Sequence, residues 1–162
     1  MSDRELIDPL IFGEAQRCFG CGPRNDVGMQ LRFFREGDSV VTTFSPRPGW
    51  EGPPGIVHGG LQATLADELG AWTVVGLQGC FALTASLQLR YLRPARMSRP
   101  IEGRGWIVDV GDSRVTVRLE LRQGGEGLLS GTAAYVTPTV AAAEALLGGP
   151  LPEAWIPLAR PG

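Results

Sequence analysis

His58-Gly59-Gly60, followed by Asp67-Glu68 inside one apolar run, carries the strongest chemical signal in this chain. His58 is its single histidine, and the two glycines stand where a helical pattern begins. A helix start leaves backbone N–H groups unpaired, and glycine lets a ligand oxygen approach them closely. A carboxylate further along the same helix is suited to work on a group polarised at such amides, as base or as nucleophile. The chemistry this spacing suggests is attack on a carbonyl.

The two carboxylates are not equivalent. Glu68 lies about 100° around the helix from Asp67, so both cannot face one substrate. The helical neighbours of Asp67 are Ala63, Thr64, Gly70 and Ala71, all small, which leaves room for a ligand beside it. Glu68 is expected to pair with an arginine or to face a subunit contact. A hydrolase triad built on His58 lacks a Gly-x-Ser-x-Gly elbow, and a helix N-terminus disfavours an imidazolium. His58 is therefore expected to orient its neighbours through a hydrogen bond. Thr84 and Ser86 open the strand after the helix, on its polar face. Cys18 and Cys21 form a Cys-x-x-Cys with Cys80 far away, whereas structural zinc usually wants four ligands. Recruiting His58 as the fourth would consume the residue that opens the helix. A turn with buried thiols and no metal is the expectation, and a thioredoxin-like role lacks its parallel βαβ setting. Arg90, Arg93, Arg96 and Arg99 gather around Pro94 and Pro100, and arginine forks suit phosphates.

These residues need elements to hold them. From Gly59 to about Leu77, Leu61, Leu65, Leu69, Trp72 and Gly76 recur at helical spacing with few polar gaps, the pattern of a buried helix. Before it, Met29 to Arg35 and Ser39 to Phe44 read as two strands joined through Glu36-Gly37-Asp38. Residues 45 to 57 are loop, broken by Pro46, Pro48, Gly49, Gly52, Pro53, Pro54 and Gly55. After the helix the period becomes two: Leu83 to Tyr91, Ile101 to Val110, Arg114 to Arg122 and Leu128 to Val136 read as strands. About six antiparallel strands and one apolar helix pack most economically as an α+β domain whose sheet curls around the helix. Residues 1–27 read as a leader with a short helix and the Cys-x-x-Cys turn, 28–137 as the domain, and 138–162 as a short helix and a proline-rich tail.

Composition narrows the classes. The 162 residues suit one domain; 43% are hydrophobic and 20% charged, ordinary for a soluble globular protein. A net charge of -2 gives no basic stripe for nucleic acid. All fifteen basic residues are arginine, which excludes a Schiff-base lysine and a P-loop. No signal peptide or membrane span is legible, so a cytoplasmic setting is the default expectation.

The order of elements, with His58-Gly59-Gly60 opening the central helix and Asp67 nine positions after the histidine, resembles the hotdog-fold thioesterases of the PaaI type. Leu83 to Leu87, the run Arg90-Tyr91-Leu92-Arg93-Pro94, and the leader Cys18-Phe19-Gly20-Cys21-Gly22 with Asn25 and Gly28 are similar to that family too. The likeness covers roughly residues 18–137. It implies hydrolysis of an acyl-CoA thioester, with no cofactor, by a homodimer or dimer-of-dimers tetramer whose sites lie where subunits meet. It implies that the Gly59 N–H polarises the carbonyl, that Asp67 attacks it or activates water, and that His58 and Thr84 assist. Gly60, Glu68, Ser86, Arg93 and Pro94 would then line the substrate's path, Arg93 toward the phosphates of coenzyme A. The chain departs from the family at Gly52, where some relatives carry an asparagine, and at Asp26-Val27, where relatives often have proline. The alternatives are a non-catalytic acyl-CoA or acyl-carrier-protein binding module and an acyl-carrier-protein thioesterase; a hotdog dehydratase is disfavoured by the His-Gly-Gly/Asp spacing.

Overall fold

A helix apolar on most sides must be covered on most sides, and α1 (Gly59–Gln78) meets that demand by lying across a curled antiparallel sheet. The computed structural model describes residues 3–162. Its strands are β1 (Arg4–Leu6), β2 (Phe34–Glu36), β3 (Ser39–Phe44), β4 (Leu83–Tyr91), β5 (Ile101–Val110), β6 (Arg114–Gln123) and β7 (Glu126–Val136). The seven strands pair in the order β1-β2-β3-β5-β6-β7-β4, every neighbour antiparallel. A second helix, α2 (Val140–Leu147), and a 3₁₀ turn at Glu153–Leu158 complete the chain. This is the α+β hotdog architecture, an antiparallel sheet curled about one long helix.

Leu65, Leu69 and Val74 of α1 are fully buried against β-sheet residues such as Leu119, Leu121 and Leu129. Each such side chain contributes about 1.5–3 kcal/mol of transfer free energy. The two buried polar residues of the helix are served locally: Thr73 Oγ1 donates to Leu69 O at 2.7 Å, and Gln62 Nε2 donates to Val57 O at 2.9 Å.

Two expectations change. Among the described residues the leader forms no helix; residues 4–6 pair with β2 as an exposed edge strand, which brings the described sheet to seven strands. The strand expected over Met29 to Arg35 shrinks to Phe34–Glu36. Met29, Leu31 and Phe33 are buried with the expected alternation, yet the backbone there bonds the Cys-x-x-Cys loop instead of a ladder. Met29 N–H reaches Phe19 O at 2.7 Å and Leu31 N–H reaches Gly20 O at 2.9 Å. The proline-rich tail is packed: Trp155 Nε1 donates to Phe12 O at 3.1 Å, and its ring lies 4.5 Å from Phe12 and 5.2 Å from Phe81.

The tightest joint between helix and sheet is at Gly70. A Cβ there would stand 2.0 Å from the Tyr135 hydroxyl oxygen, and Tyr135 is fully buried. Helix propensity alone would favour alanine by about 1 kcal/mol. Gly70→Ala is nevertheless expected to cost about 1–3 kcal/mol through overpacking, read as a lower midpoint in urea denaturation. A higher midpoint would show that the ring can move aside.

Candidate active site

His58 caps α1: its Nδ1 accepts the Gly60 N–H at 3.0 Å, and its carbonyl accepts the N–H of Leu61 and Gln62. This hydrogen bond has one consequence for Gly60. The Gly60 amide is occupied, whereas the Gly59 N–H has no partner among the described residues. The Gly59 carbonyl is held by the Tyr91 hydroxyl at 2.7 Å. Beside this amide runs an open groove of about 370 Å³, bounded by Pro53, Val57, Gly59, Gln62, Tyr91 and Arg93. Pro94 also borders it. Arg93 spends one guanidinium nitrogen on Gly127 O at 3.0 Å and is otherwise exposed.

Gln62 is a site residue the sequence reading missed. It is 4% exposed, and its Oε1 is a buried acceptor without a partner among the described residues. Its Nε2 is committed to Val57 O, so the unpaired oxygen cannot be exchanged for the nitrogen without losing that bond. An orphaned buried acceptor costs about 1–3 kcal/mol, which is tolerated where something is meant to bind.

Two turns along α1, Asp67 is half-buried and held by hydroxyls. Its Oδ1 accepts from Thr84 Oγ1 at 2.7 Å and from the Tyr135 hydroxyl at 3.2 Å, which also reaches the Asp67 carbonyl at 2.8 Å. Burial, and then the facing Asp67 carboxylate, raise the Tyr135 pKa, so this hydroxyl stays a donor. Asp67 Oδ2 has no partner among the described residues. The expected small-walled groove is thus half filled: the Gly70 side holds the Tyr135 ring, and the half-exposed Ala63 and Thr64 side stays open.

A β-bulge decides which hydroxyl serves Asp67. The β4–β7 register shifts between Thr84 and Ser86, pairing Thr84 with Tyr135 but Ser86 with Ala134. Opposed residues share a face and successive ones alternate, so Thr84 points with Tyr135 toward α1 and Ser86 points to the other face. The expectation that both hydroxyls lie on one polar face is therefore corrected.

Glu68 pairs with no arginine; among the described residues its hydrogen-bond partner is Cys18 Sγ, 3.2 Å away. Burial, followed by the adjacent Cys18, pushes its carboxyl from 4.5 up to about 8. The Cys21 thiol, hydrogen-bonding to Cys18, draws the Cys18 thiol down to about 5, while the same bond and burial push Cys21 upward. Cys18, Cys21 and Glu68 stand at one wall of a cavity of about 190 Å³. Trp72 and Phe81 also line it, whereas Trp50 stacks on Phe44.

Comparison with known proteins points to a class for this fold. Residues 54–130 match the family model described as Thioesterase superfamily. A stretch of 95 residues, 57% of this chain, is 32% identical to the acyl-coenzyme A thioesterase THEM4 of Bos taurus. The match spans only 38% of that protein's length. A crystal structure of a thioesterase superfamily protein superposes with a TM-score of 0.68 at 28% identity, covering 83% of this chain and 67% of the other. The thioesterase superfamily protein of Shewanella loihica PV-4 gives a TM-score of 0.61 at 28% identity, covering 75% and 94%. Residues 54–130 are thus similar to the thioesterase superfamily, and the fold is shared with solved structures of that superfamily. No helix among the described residues is long and apolar enough to cross a membrane.

The raised Glu68 carboxyl makes a signed prediction. Below pH 4.5 folded and unfolded chains both hold the proton; from there to about 8 only the folded chain does. Unfolding then releases a proton, so stability contributed at this position falls as pH rises across that window. The stability of the parent minus that of Glu68→Gln should decline between pH 5 and 8, measured by urea denaturation in reductant. A difference that grows with pH would reverse the assignment.

Proposed function

We propose that the protein hydrolyses a small or medium acyl-CoA thioester to the free acid and CoA. The observation that carries this is the Asp67 carboxylate, steadied on Oδ1 by Thr84 and Tyr135 and open at Oδ2. Oδ2 takes a proton from water, or attacks the acyl carbon itself; the hydroxyls keep the carboxylate aimed in either case. The free Gly59 N–H at the helix start meets the carbonyl oxygen as it gains negative charge, aided by the helix dipole.

Both groups cannot serve one carbonyl from one chain. Eight residues of helix separate Gly59 from Asp67, about 12 Å along the axis at 1.5 Å per residue. A composite site resolves this, with the amide from one subunit and the carboxylate from a second. β4, the edge of the sheet next to Asp67, has no partner on its outer side among the described residues, and its open backbone invites pairing with a second copy. Along the groove, Arg93 and Pro94 would border the coenzyme's phosphates, and Gln62 Oε1 offers an acceptor.

Thiol release from a panel of acyl-CoA and acyl-carrier-protein thioesters tests the reading. Asp67→Ala should lower kcat by roughly 10²–10⁴-fold with an unchanged circular dichroism spectrum. Thr84→Ala should lose about 10- to 100-fold, the worth of one hydrogen bond to a charged group. An Asp67→Ala variant as active as its parent rejects the mechanism. Tight binding of a non-hydrolysable acyl-CoA with no turnover by the parent would favour a binding module.

The composite site has its own test. Proline at the first helical position removes the Gly59 N–H without breaking the helix, and the His58 backbone (φ -54°, ψ 131°) is compatible with a following proline. Gly59→Pro and Asp67→Ala should each be inactive. Their random mixture should recover about a quarter of parental activity, because half the assemblies are mixed and each has one intact site. No recovery would place both groups in one chain's site.

A further inference from the structure

The Cys-x-x-Cys loop and the second helix carboxylate have no part in that chemistry, yet they converge. We propose that Cys18, Cys21 and Glu68 form a binding site for one zinc-type divalent cation, with two thiolates and one carboxylate as ligands and the fourth position facing the adjacent cavity.

The geometry suits such an ion. The two sulfurs and a Glu68 oxygen all lie within 4.8 Å of one another. A tetrahedral centre with metal–sulfur bonds of about 2.3 Å and metal–oxygen bonds of about 2.0–2.2 Å sets ligand atoms roughly 3.5–3.8 Å apart. Small side-chain rotations reach that spacing. The chemical need is also present. Glu68 is half-buried, has no arginine partner among the described residues, and touches a thiol instead. A carboxylate withdrawn from water without a cation is costly, and a divalent ion supplies the missing charge.

The loop is built around the carboxylate. A Cβ at Gly20 would fall 2.2 Å from Glu68 Cγ and 2.8 Å from Oε1, so only glycine lets the loop close over this side chain. The loop is fixed from outside by the Phe19 and Gly20 carbonyls, which accept the Met29 and Leu31 amides, and by Gln16 Oε1, which accepts the Cys18 N–H at 2.9 Å. The cavity of about 190 Å³ that these residues border has room for a water or another neutral donor in the fourth position. Binding displaces to solvent the protons held among the two thiols and the Glu68 carboxyl, and leaves the centre with one net negative charge. The ion would tie the leader to α1 one residue from Asp67. None of this depends on thioester hydrolysis.

The full-length chain, stripped with chelator and kept reduced, is titrated with Co²⁺ and then Zn²⁺. One equivalent of Co²⁺ should produce thiolate-to-metal charge-transfer bands and tetrahedral ligand-field bands, and Zn²⁺ should displace it. Zinc should also raise the Tm and protect two of the three thiols from alkylation. Cys18→Ser and Cys21→Ser should each lose the full charge-transfer intensity, and Cys80→Ser should not. Glu68→Gln should keep two-thiolate bands but bind at least tenfold more weakly. If the serine variants fail to fold, alkylation of the parent, Cys80→Ser and Glu68→Gln still decide. Absence of thiolate bands in the parent, unprotected thiols in the presence of zinc, or parental affinity in Glu68→Gln would each overturn the site.

Discussion

The hydrogen bonds from one tyrosine hydroxyl to Asp67 organise much of this structure. Tyr135 rises from β7 into the gap left by Gly70 and reaches both the carbonyl and the carboxylate of Asp67. Because the ring is fully buried, it sets how far α1 can slide or rotate on the sheet. The register of β7 against β4, interrupted by one bulge, then brings Thr84 to the same carboxylate oxygen. A helix wrapped on most sides keeps one carboxylate at the opening because two strands supply hydroxyls there.

The same helix separates two functions by its length. Its first turn offers a free amide, a capping histidine and a buried amide oxygen without a partner; its third turn offers the oriented carboxylate. The rise of an α-helix keeps these about 12 Å apart however the side chains rotate. A catalytic reading therefore implies assembly, and the open β4 edge provides the surface for it. Under the proposed mechanism, assembly would follow from the distance between Gly59 and Asp67 as well as from the β4 edge, which is unpaired among the described residues.

The two ends of the chain also pack on α1 and its surroundings. The leader lays its cysteine loop over Glu68, and the 3₁₀ turn near the C-terminus brings Trp155 against Phe12 and Phe81. Together they wall an apolar cavity next to α1. Glycine at position 20 is needed there for space, since its φ is not in the left-handed region.

Much of the frame was legible from residue order. The 3.6-residue period over 59–77 and the two-residue period over 83–91, 101–110 and 114–122 report local burial directly, because side-chain direction repeats with backbone geometry. His58 at the helix start and Asp67 along it could be named for the same reason. What escaped was every relation between distant segments. Thr84 and Ser86 look alike until a bulge turns them to opposite faces; Glu68 looks like an arginine partner until a loop fifty residues earlier closes on it; Gln62 and Tyr135 carry no motif at all. Sequence alone determined the elements and the candidate chemistry, since both depend on near neighbours. Only the tertiary structure decided which hydroxyls, thiols and aromatic rings meet each carboxylate, because register, bulges and close approach arise when strands far apart in the chain pack against one helix.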